Sequence, residues 1–395
     1  MKKVSLAVLG LYVSILAAFS QNAPRIDSSY KARKLKLEEV NIVSSYYRQD
    51  GDNATVTGGI GSQMLTDVSA SIDLKLTGYD KKKRKHTLTA ELGIDHYTSA
   101  SSDKIDPSTV TSASYADNRF YPSVGWTMEN GHKGYTVGAG IYYSTEYDYQ
   151  SFGGNLSFSK KTTDRNGEFS GKLQAYLDHI SAIYPIELRT SMAGTNSNLR
   201  RNTFSGTLSW SQIIDRSFQL MVEGELVYQN GFLGLPFHRV YFTDNSVHVE
   251  KLPSTRLKIP VGIRANYFLG DGIIFRAWYR HYFDDWDISS NTLQFETSLK
   301  INPFYSITPF YRFYQQTASE YFSPYKAHTF YDDYYTSNYD LSKFNSHFFG
   351  VGFRMAPPAG VFNIQHINAL EIRYGHYQKN IEMNANIISL HLKFR

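Results

Sequence analysis

The sequence predicts an all-β protein: a transmembrane, antiparallel, up-and-down barrel of about sixteen strands behind a cleaved signal peptide. Three observations carry that expectation. Apolar residues recur at every second position in segment after segment, no stretch beyond the N-terminal residues stays apolar for the length of a spanning helix, and the connections differ systematically in length. A period of two is the spacing of a strand with one greasy and one wet face. Without an apolar helix, a closed barrel is the remaining structure able to cross a bilayer.

The chain opens with MKKVSLAVLGLYVSILAAFSQ, in which Lys2 and Lys3 precede an apolar run from Val4 to Phe19 and a small-residue site before Gln21. This pattern reads as a secretory signal over residues 1–20, since the run is short for an anchor helix. Cleavage there removes two lysines from a formal charge of +5 and leaves +3. Residues 21–34 are expected to form a periplasmic segment, and 35–395 the barrel. The absence of cysteine excludes a lipidated cysteine, thiol chemistry, iron–sulfur clusters and disulfides. The load of 31 Tyr, 25 Phe and 4 Trp in a chain of negative mean hydropathy suits aromatic girdles at two membrane interfaces.

The alternation begins at Leu35–Tyr47 and continues through Val68–Leu76, Leu88–Ile94, Tyr121–Met128, Tyr135–Tyr143 and Phe152–Phe158. Phe169–Leu177, Phe204–Trp210, Phe218–Tyr228, Leu257–Tyr267 and Phe275–Phe283 carry it onward. Leu293–Ile301, Tyr305–Phe313, Phe349–Met355, Leu370–Tyr374 and Ile388–Phe394 complete the set, an even number as single-chain outer-membrane barrels have. Every short connection, among them Glu129–Gly134, Asp215–Ser217, Gly270–Gly272, Asn302–Pro303 and Ala356–Phe362, is expected on the periplasmic side. Thr98–Asn118, Ile183–Arg200, Gly231–Thr255 and Thr317–Phe344 are expected outside. A soluble sandwich or lipocalin-like barrel also alternates, but with about half as many strands.

The terminal NIISLHLKFR keeps its apolar face through Phe394, as a strand must if it closes against the first. It is expected to serve as the recognition signal for the barrel assembly machinery. Such signals usually end on an aromatic residue, whereas here Arg395 follows.

RKLKLEEVNIVSSYYRQDGDNATVTGGIG (Arg33–Gly61), ELGIDHYTSASSDKIDPS (Glu91–Ser108) and YLDHISAIYPIELR (Tyr176–Arg189) resemble domain of unknown function family 3570. The resemblance spans most of the chain after the signal. It implies an outer-membrane β-barrel, most familiar from Bacteroidetes-like bacteria, and brings no catalytic residues.

If one parity of each strand faces lipid, the other lists the lumen. Segments seven to nine then send in Asp178, Glu223 and Glu225; segments ten, eleven, thirteen and fourteen send in Arg264, Arg276, Arg280, Arg312 and Arg354. Glu296 and Lys300 join from segment twelve, Glu371 and Arg373 from segment fifteen. Acid thus gathers on one sector and arginine on another. One consequence is a salt-bridged lumen that stiffens or plugs the barrel; the other is a polar pore whose charged sectors select small solutes.

Other motifs carry less. DGDN (Asp50, Asp52, Asn53) has half of a calcium-loop pattern, and FDDWD (Asp284, Asp285, Asp287) and YDDYY (Asp332, Asp333) offer oxygens without a full ligand set. KKKRK (Lys81–Lys85) behind a signal peptide reads as a solvated periplasmic turn and not a nucleic-acid patch. The twelve histidines show no HExxH or paired metal spacing, so neither metal nor cofactor is expected. The sequence therefore points to a porin-like channel or transporter for small polar solutes, in contact with outer-membrane lipid and lipopolysaccharide. The alternative is a plugged barrel whose loops bind a ligand, with EYFSPYKAHTFYDDYYTSNYD (Glu320–Asp340) supplying eight aromatic side chains either as a surface or as a cover. A remote alternative is a lipid hydrolase in which His179 activates Ser181 and Asn202 orients the imidazole.

Overall fold

The computed structural model describes residues 32–98, 116–188 and 195–395. The expected signal peptide and most of the expected periplasmic segment lie outside the described residues. The first half of the barrel consists of β1 (Arg33–Gly51), β2 (Leu65–Tyr79), β3 (Lys85–Thr98), β4 (Ala116–Asn130), β5 (Tyr135–Thr145), β6 (Tyr149–Lys161), β7 (Gly167–Ile183), β8 (Thr195–Ile213) and β9 (Phe218–Gly231). After a small hairpin, β10 (Arg239–Tyr241) and β11 (Val247–Val249), the wall resumes with β12 (Thr255–Leu269), β13 (Ile273–Asp284), β14 (Ser289–Asn302) and β15 (Tyr305–Gln316). It ends with β16 (Phe344–Met355), β17 (Ile367–Lys379) and β18 (Met383–Phe394).

All strands but β10 and β11 form one closed antiparallel barrel in chain order, sixteen strands around, with β18 returning to β1. All sixteen alternating segments are strands of this wall. Even the shortest, β5 with 11 residues, reaches ~25 Å at the usual tilt, the height of an apolar membrane band. Along β6, β7, β8 and β9 one parity is apolar and open to the surroundings: Leu156, Leu173, Leu208 and Leu226 are 63, 65, 59 and 51% exposed. Such a belt is stable against hydrocarbon, and a closed barrel leaves no edge with unpaired backbone groups, so this is a membrane-spanning barrel of the outer-membrane type.

The barrel closes where the sequence keeps its apolar face longest. β1 and β18 run in register from Val40 opposite Phe394 to Gly51 opposite Met383. Val40, Ile42 and Phe394 form a buried cluster at this seam, joined by Leu37, Ile72, Leu74, Ile367 and Leu392. Arg395 follows without breaking it, its N–H donating to the His366 carbonyl at 3.2 Å. Phe394→Ala is expected to remove about 3 kcal/mol from closure, on the scale of a buried Phe-to-Ala change. The heat-modifiable folded band on a gel should weaken, whereas Arg395→Ala should leave it intact.

Two expectations need correcting. β1 starts at Arg33, two residues before the expected boundary. Connections at the long-loop end are not uniformly long: 146–148, 285–288 and 380–382 are short turns there, while 356–366 is the longest at the other end. Hydrogen bonds close the first two of these turns: the Glu146 N–H donates to the Tyr149 carbonyl at 2.7 Å in the first, and an Asx turn forms the second. There Asp284 accepts the N–H groups of Trp286 and Ile288, both at 3.0 Å, and so closes a tight turn.

Candidate functional site

Strand parity puts Asp178, Glu223, Glu225, Arg264, Arg276, Arg280, Glu296, Lys300, Arg312, Arg354, Glu371 and Arg373 on the face opposite the exposed apolar belt. That this face is concave follows from one contact. Arg373 on β17 reaches Glu296 on β14 at 3.4 Å across two intervening strands, a chord possible only inside the ring. Glu296 also holds Arg276 at 2.7 Å, and Arg373 holds Glu371, so four of these charges form one network. Arg264 lies 4.0 Å from Glu223. Arg312 donates to Gln294 at 2.8 Å and lies over the Phe348 ring. No ion-pair partner stands beside Arg280, Arg354, Lys300 or Glu225 among the described residues.

Asp178 is 6% exposed and locked into the wall: it accepts from Ser151 Oγ at 2.7 Å and from Arg201 Nε at 2.8 Å. Arg201 was missed because the alternation in β8 becomes clean only at Phe204. The same holds for Arg256, which pairs with Asp284 just outside the clean part of β12. Rim charges interrupt the apolar pattern, so parity had to be extended past it to find them. Strands β2 and β3 add Asp67, Asp73, Glu91 and Asp95 to the inner face, which places the acidic sector chiefly there.

Between β3 and β7 the inner wall holds a recess of about 280 Å³ lined by Glu91, Arg119, Tyr121, Tyr142, Tyr149 and Tyr176, among others. Two of these rings lie flat on the wall because glycine stands opposite. A Cβ at Gly93 would fall 2.0 Å from the Tyr121 ring, and one at Gly153 would fall 2.5 Å from that of Tyr176. Tyr142 and Tyr176 face each other with centroids 6.1 Å apart. Tyr121 donates to Asp95 at 3.0 Å and Ser123 to Glu91 at 3.2 Å. Flat rings edged by hydroxyl, carboxylate and guanidinium groups can hold a small hydroxylated solute by stacking and hydrogen bonding.

Above the lumen, the outer loops cross the mouth. The loop after β1 (52–64) and the loop after β9 (232–254) spring from opposite sides of the ring. They nevertheless meet: Arg239 Nη1 donates to the Val56 carbonyl at 2.8 Å, and a Cβ on Gly58 would lie 2.6 Å from the Tyr241 ring. Gly58 has φ +83°, so glycine is required both for that conformation and for the close approach. Arg239 also holds Glu187 from the loop after β7. The loop after β15 (317–343) joins through backbone bridges of Phe242 with His328 and of Lys251 with Tyr335.

This crossing has a dry interior: His238, Val240, Thr336 and Ser337 are wholly buried, His328 nearly so. At its centre Glu250 accepts from Thr336 Oγ1 and the Leu235 N–H, and lies 2.9 Å from His238 Nδ1. Of the eight aromatic side chains in the loop after β15, six have ring partners inside the crossing: Tyr321 with Trp286 and Tyr334, Phe322 with Tyr339, Tyr325 with Tyr241, and Tyr335 with Phe242. Phe330 and Tyr331, each 90% exposed, project from the tip. The loop is a cover with an exposed apex.

The remaining motifs resolve as local structure. Asp284 anchors its turn and Asp332 accepts from Thr329 N–H and pairs with His328, so neither is a free ligand oxygen. Asn53 donates to the Ile381 carbonyl, tying the DGDN turn to its neighbour. Asp80 organises the KKKRK turn by accepting from Lys82 N–H, Arg84 N–H and the Arg84 side chain. His179 and Ser181 share no hydrogen bond, and the register of β7 against β8 shifts between Ile180 and Ala182, which puts Ser181 on the irregularity. Asn202 stands opposite Leu177, not His179.

One acidic group went unnoticed in the sequence because Asp117, at the start of β4, is brought to Glu146 and Asp148, in the turn after β5, only by the folding of the wall. The carboxylates of Asp117, Glu146 and Asp148 lie within 4.8 Å of one another at the outer rim. Glu146 accepts from the Tyr97 hydroxyl, and Asp117 from the Asn118 and Tyr147 N–H groups. Burial, and then the charges of Asp117 and Glu146, push Asp148 up to about 6. A raised carboxyl favours the fold fully below its ordinary value near 4, and that contribution is lost as pH rises through about 6. Thermal unfolding in detergent should therefore show a midpoint that falls over this window, and Asp148→Asn should flatten the fall and raise the midpoint at pH 7 by a few degrees.

Among solved structures the chain is similar to a BenF-like porin from Pseudomonas fluorescens Pf-5, at 9% identity over 90% of this chain and 98% of that chain, with a TM-score of 0.43. It is also similar to OccD3 (OpdP) of Pseudomonas aeruginosa, at 9% identity over 92% and 93% of the two chains (TM-score 0.45), and to OprD of the same organism, at 9% identity over 90% and 94% (TM-score 0.43). No curated protein matches it. The model of the family described as protein of unknown function (DUF3570) matches residues 82–391, which is most of the barrel, and the chain belongs to that family.

Proposed function

We propose that the protein is an outer-membrane channel for small polar solutes whose mouth is restricted by its own crossed loops. The observation that carries this reading is a closed sixteen-strand ring with a polar, charged inner face, since barrels of this strand number enclose more space than wall side chains fill. The lumen charges named above set the selectivity, with Arg280, Arg354 and Lys300 contributing most because no carboxylate neutralises them. The tyrosine recess offers passing solutes a place to stack. The reading is of a channel and not an enzyme, since His179 and Ser181 lack the hydrogen bond that activates a nucleophile. In the membrane the belt contacts lipid, and β18, ending on Phe394, is the segment offered to the assembly machinery.

Reconstitution in planar bilayers tests the proposal: discrete conductance steps are expected. Replacing both Arg276 and Arg280 by Glu should shift selectivity several-fold towards cations, because each exchange moves the local charge by two units. The second reading, a plugged barrel with a surface role, is favoured by the buried interior of the crossing. It predicts no conductance in the intact protein or after the crossing is opened.

A further inference from the structure

The lipid-facing wall is not uniformly convex. Across β5 to β9 it carries an apolar groove of about 850 Å³ whose floor is Gly154, Ala175 and Gly206 and whose sides include Ile141, Leu156, Leu173, Phe204 and Leu226. The barrel's own packing does not require glycine at the floor. A Cβ on Gly154 would meet only the Gly140 carbonyl at 3.5 Å, one on Gly206 only a Leu173 methyl at 3.4 Å, and one on the adjacent Gly224 nothing at all. None of these three has a positive φ. The missing side chains leave space outside the wall and relieve nothing within it.

Just beyond the outer end of the groove, past Phe152 and Leu177, the wall is polar and carries a cation. Gln150, His179 and Arg200 stand side by side in one cross-strand row on the lipid face, directly above the row of Phe152, Leu177 and Asn202. Arg200 is exposed, and neither its side chain nor that of His179 has an ion-pair or hydrogen-bond partner among the described residues. Thr145, opposite Gln150 on β5, continues the row without a carboxylate. From Phe169, near the inner end of β7, to His179 is ten residues, or ~25 Å along the membrane normal in a tilted strand, which sets this row at the outer hydrocarbon boundary. An unpaired guanidinium on a lipid-facing surface at that height is complementary to a phosphate in the outer leaflet.

We propose that this face is a binding site for one phosphorylated glycolipid of the outer leaflet, of lipid A type, with an acyl chain in the groove and its phosphate held by Arg200 and His179. Gln150 and Asn202 supply amides for the sugar. The sequence singles out His179 and Asn202 for a hydrolytic role; here they recognise the headgroup without cutting anything. The proposal rests on the barrel spanning a membrane, but not on its being a channel.

The test is native mass spectrometry of the purified full barrel in neutral detergent, incubated with lipid A or with phosphatidylcholine. Wild type is expected to retain a single lipid A with at least tenfold preference over phosphatidylcholine. Arg200→Glu with His179→Ala should bring that preference near parity, while Gly154→Leu with Gly206→Leu should abolish retention of both. Folding of each variant is checked by heat-modifiable migration, and Arg200→Gln, at an exposed position, serves if a double variant fails to fold. Equal retention of the two lipids by wild type, retention unchanged in the variants, or a detergent-stable dimer that the Leu variants dissociate would overturn the proposal. Loss of conductance with lipid selectivity intact would count only against the channel, whereas a barrel recovered in the soluble periplasm would remove both.

Discussion

Glu250→Ala should open the mouth of the barrel, with the conductance of reconstituted protein rising and the outer loops becoming sensitive to protease. Glu250 sits at the centre of the crossing with 4% exposure, and three donors converge on it: the Leu235 N–H, the Thr336 hydroxyl and His238 Nδ1. Truncation leaves all three buried without an acceptor. Removing one partner from such a network costs about 3 kcal/mol, and since each 1.4 kcal/mol is a factor of ten, the open fraction should grow by roughly 10². Glu250→Gln keeps an acceptor oxygen while losing the charge, so it should fall between wild type and Glu250→Ala. The barrel below should stay heat-modifiable in both variants, because no residue of the β-wall takes part in this network. Unchanged conductance in Glu250→Ala, with protease sensitivity raised, would show that the lumen is obstructed elsewhere.

The wall was legible because a membrane barrel obeys one rule throughout. Leu173 and Leu177 must face hydrocarbon, so Gln174 and Tyr176 between them face inward, and this parity survives in every strand whose centre crosses the bilayer. At the strand ends the rule lapses. Arg201 lies on the inner face, yet its lipid-side neighbour Arg200 is equally polar, since the outer face at this height meets headgroups and not hydrocarbon, and Arg256 falls one residue before the clean segment begins. The crossing was less legible still. Its contacts join Val56, Glu187, Arg239 and Tyr335, residues far apart in sequence and brought together by ring closure, and no local period encodes ring closure. Even so, the aromatic density of Glu320–Asp340 was legible as a loop able to cover the mouth. The groove on the outer wall has no local signal because Gly154 and Gly206 lie on different strands and are gathered around Ala175 only by the register of β6 and β8 against β7.

Deleting Ser323–Asn338 should raise conductance several-fold and lower the temperature at which the outer loops lose protection, while trimming only the apex by Phe330→Ser and Tyr331→Ser should change neither. The segment supplies Thr336 to the Glu250 network, Tyr335 to the ring cluster around Phe242 and Tyr334 to the edge of Tyr321. Without it, the hairpin of β10 and β11 keeps Arg239 with Glu187 and Val56 but loses the bridges that hold Phe242 and Lys251 from the other side. A hairpin of three-residue strands is not stable on its own, so its aromatic side chains should come free of the mouth. Phe330 and Tyr331 contribute only to each other, with ring centroids 6.1 Å apart, and their exposure makes them the part of the loop able to touch another molecule. The two variants therefore separate covering from capture. A deletion that leaves conductance and loop protection unchanged would remove the cover, and loss of adhesion or ligand retention in the apex variant alone would assign the tip to surface binding.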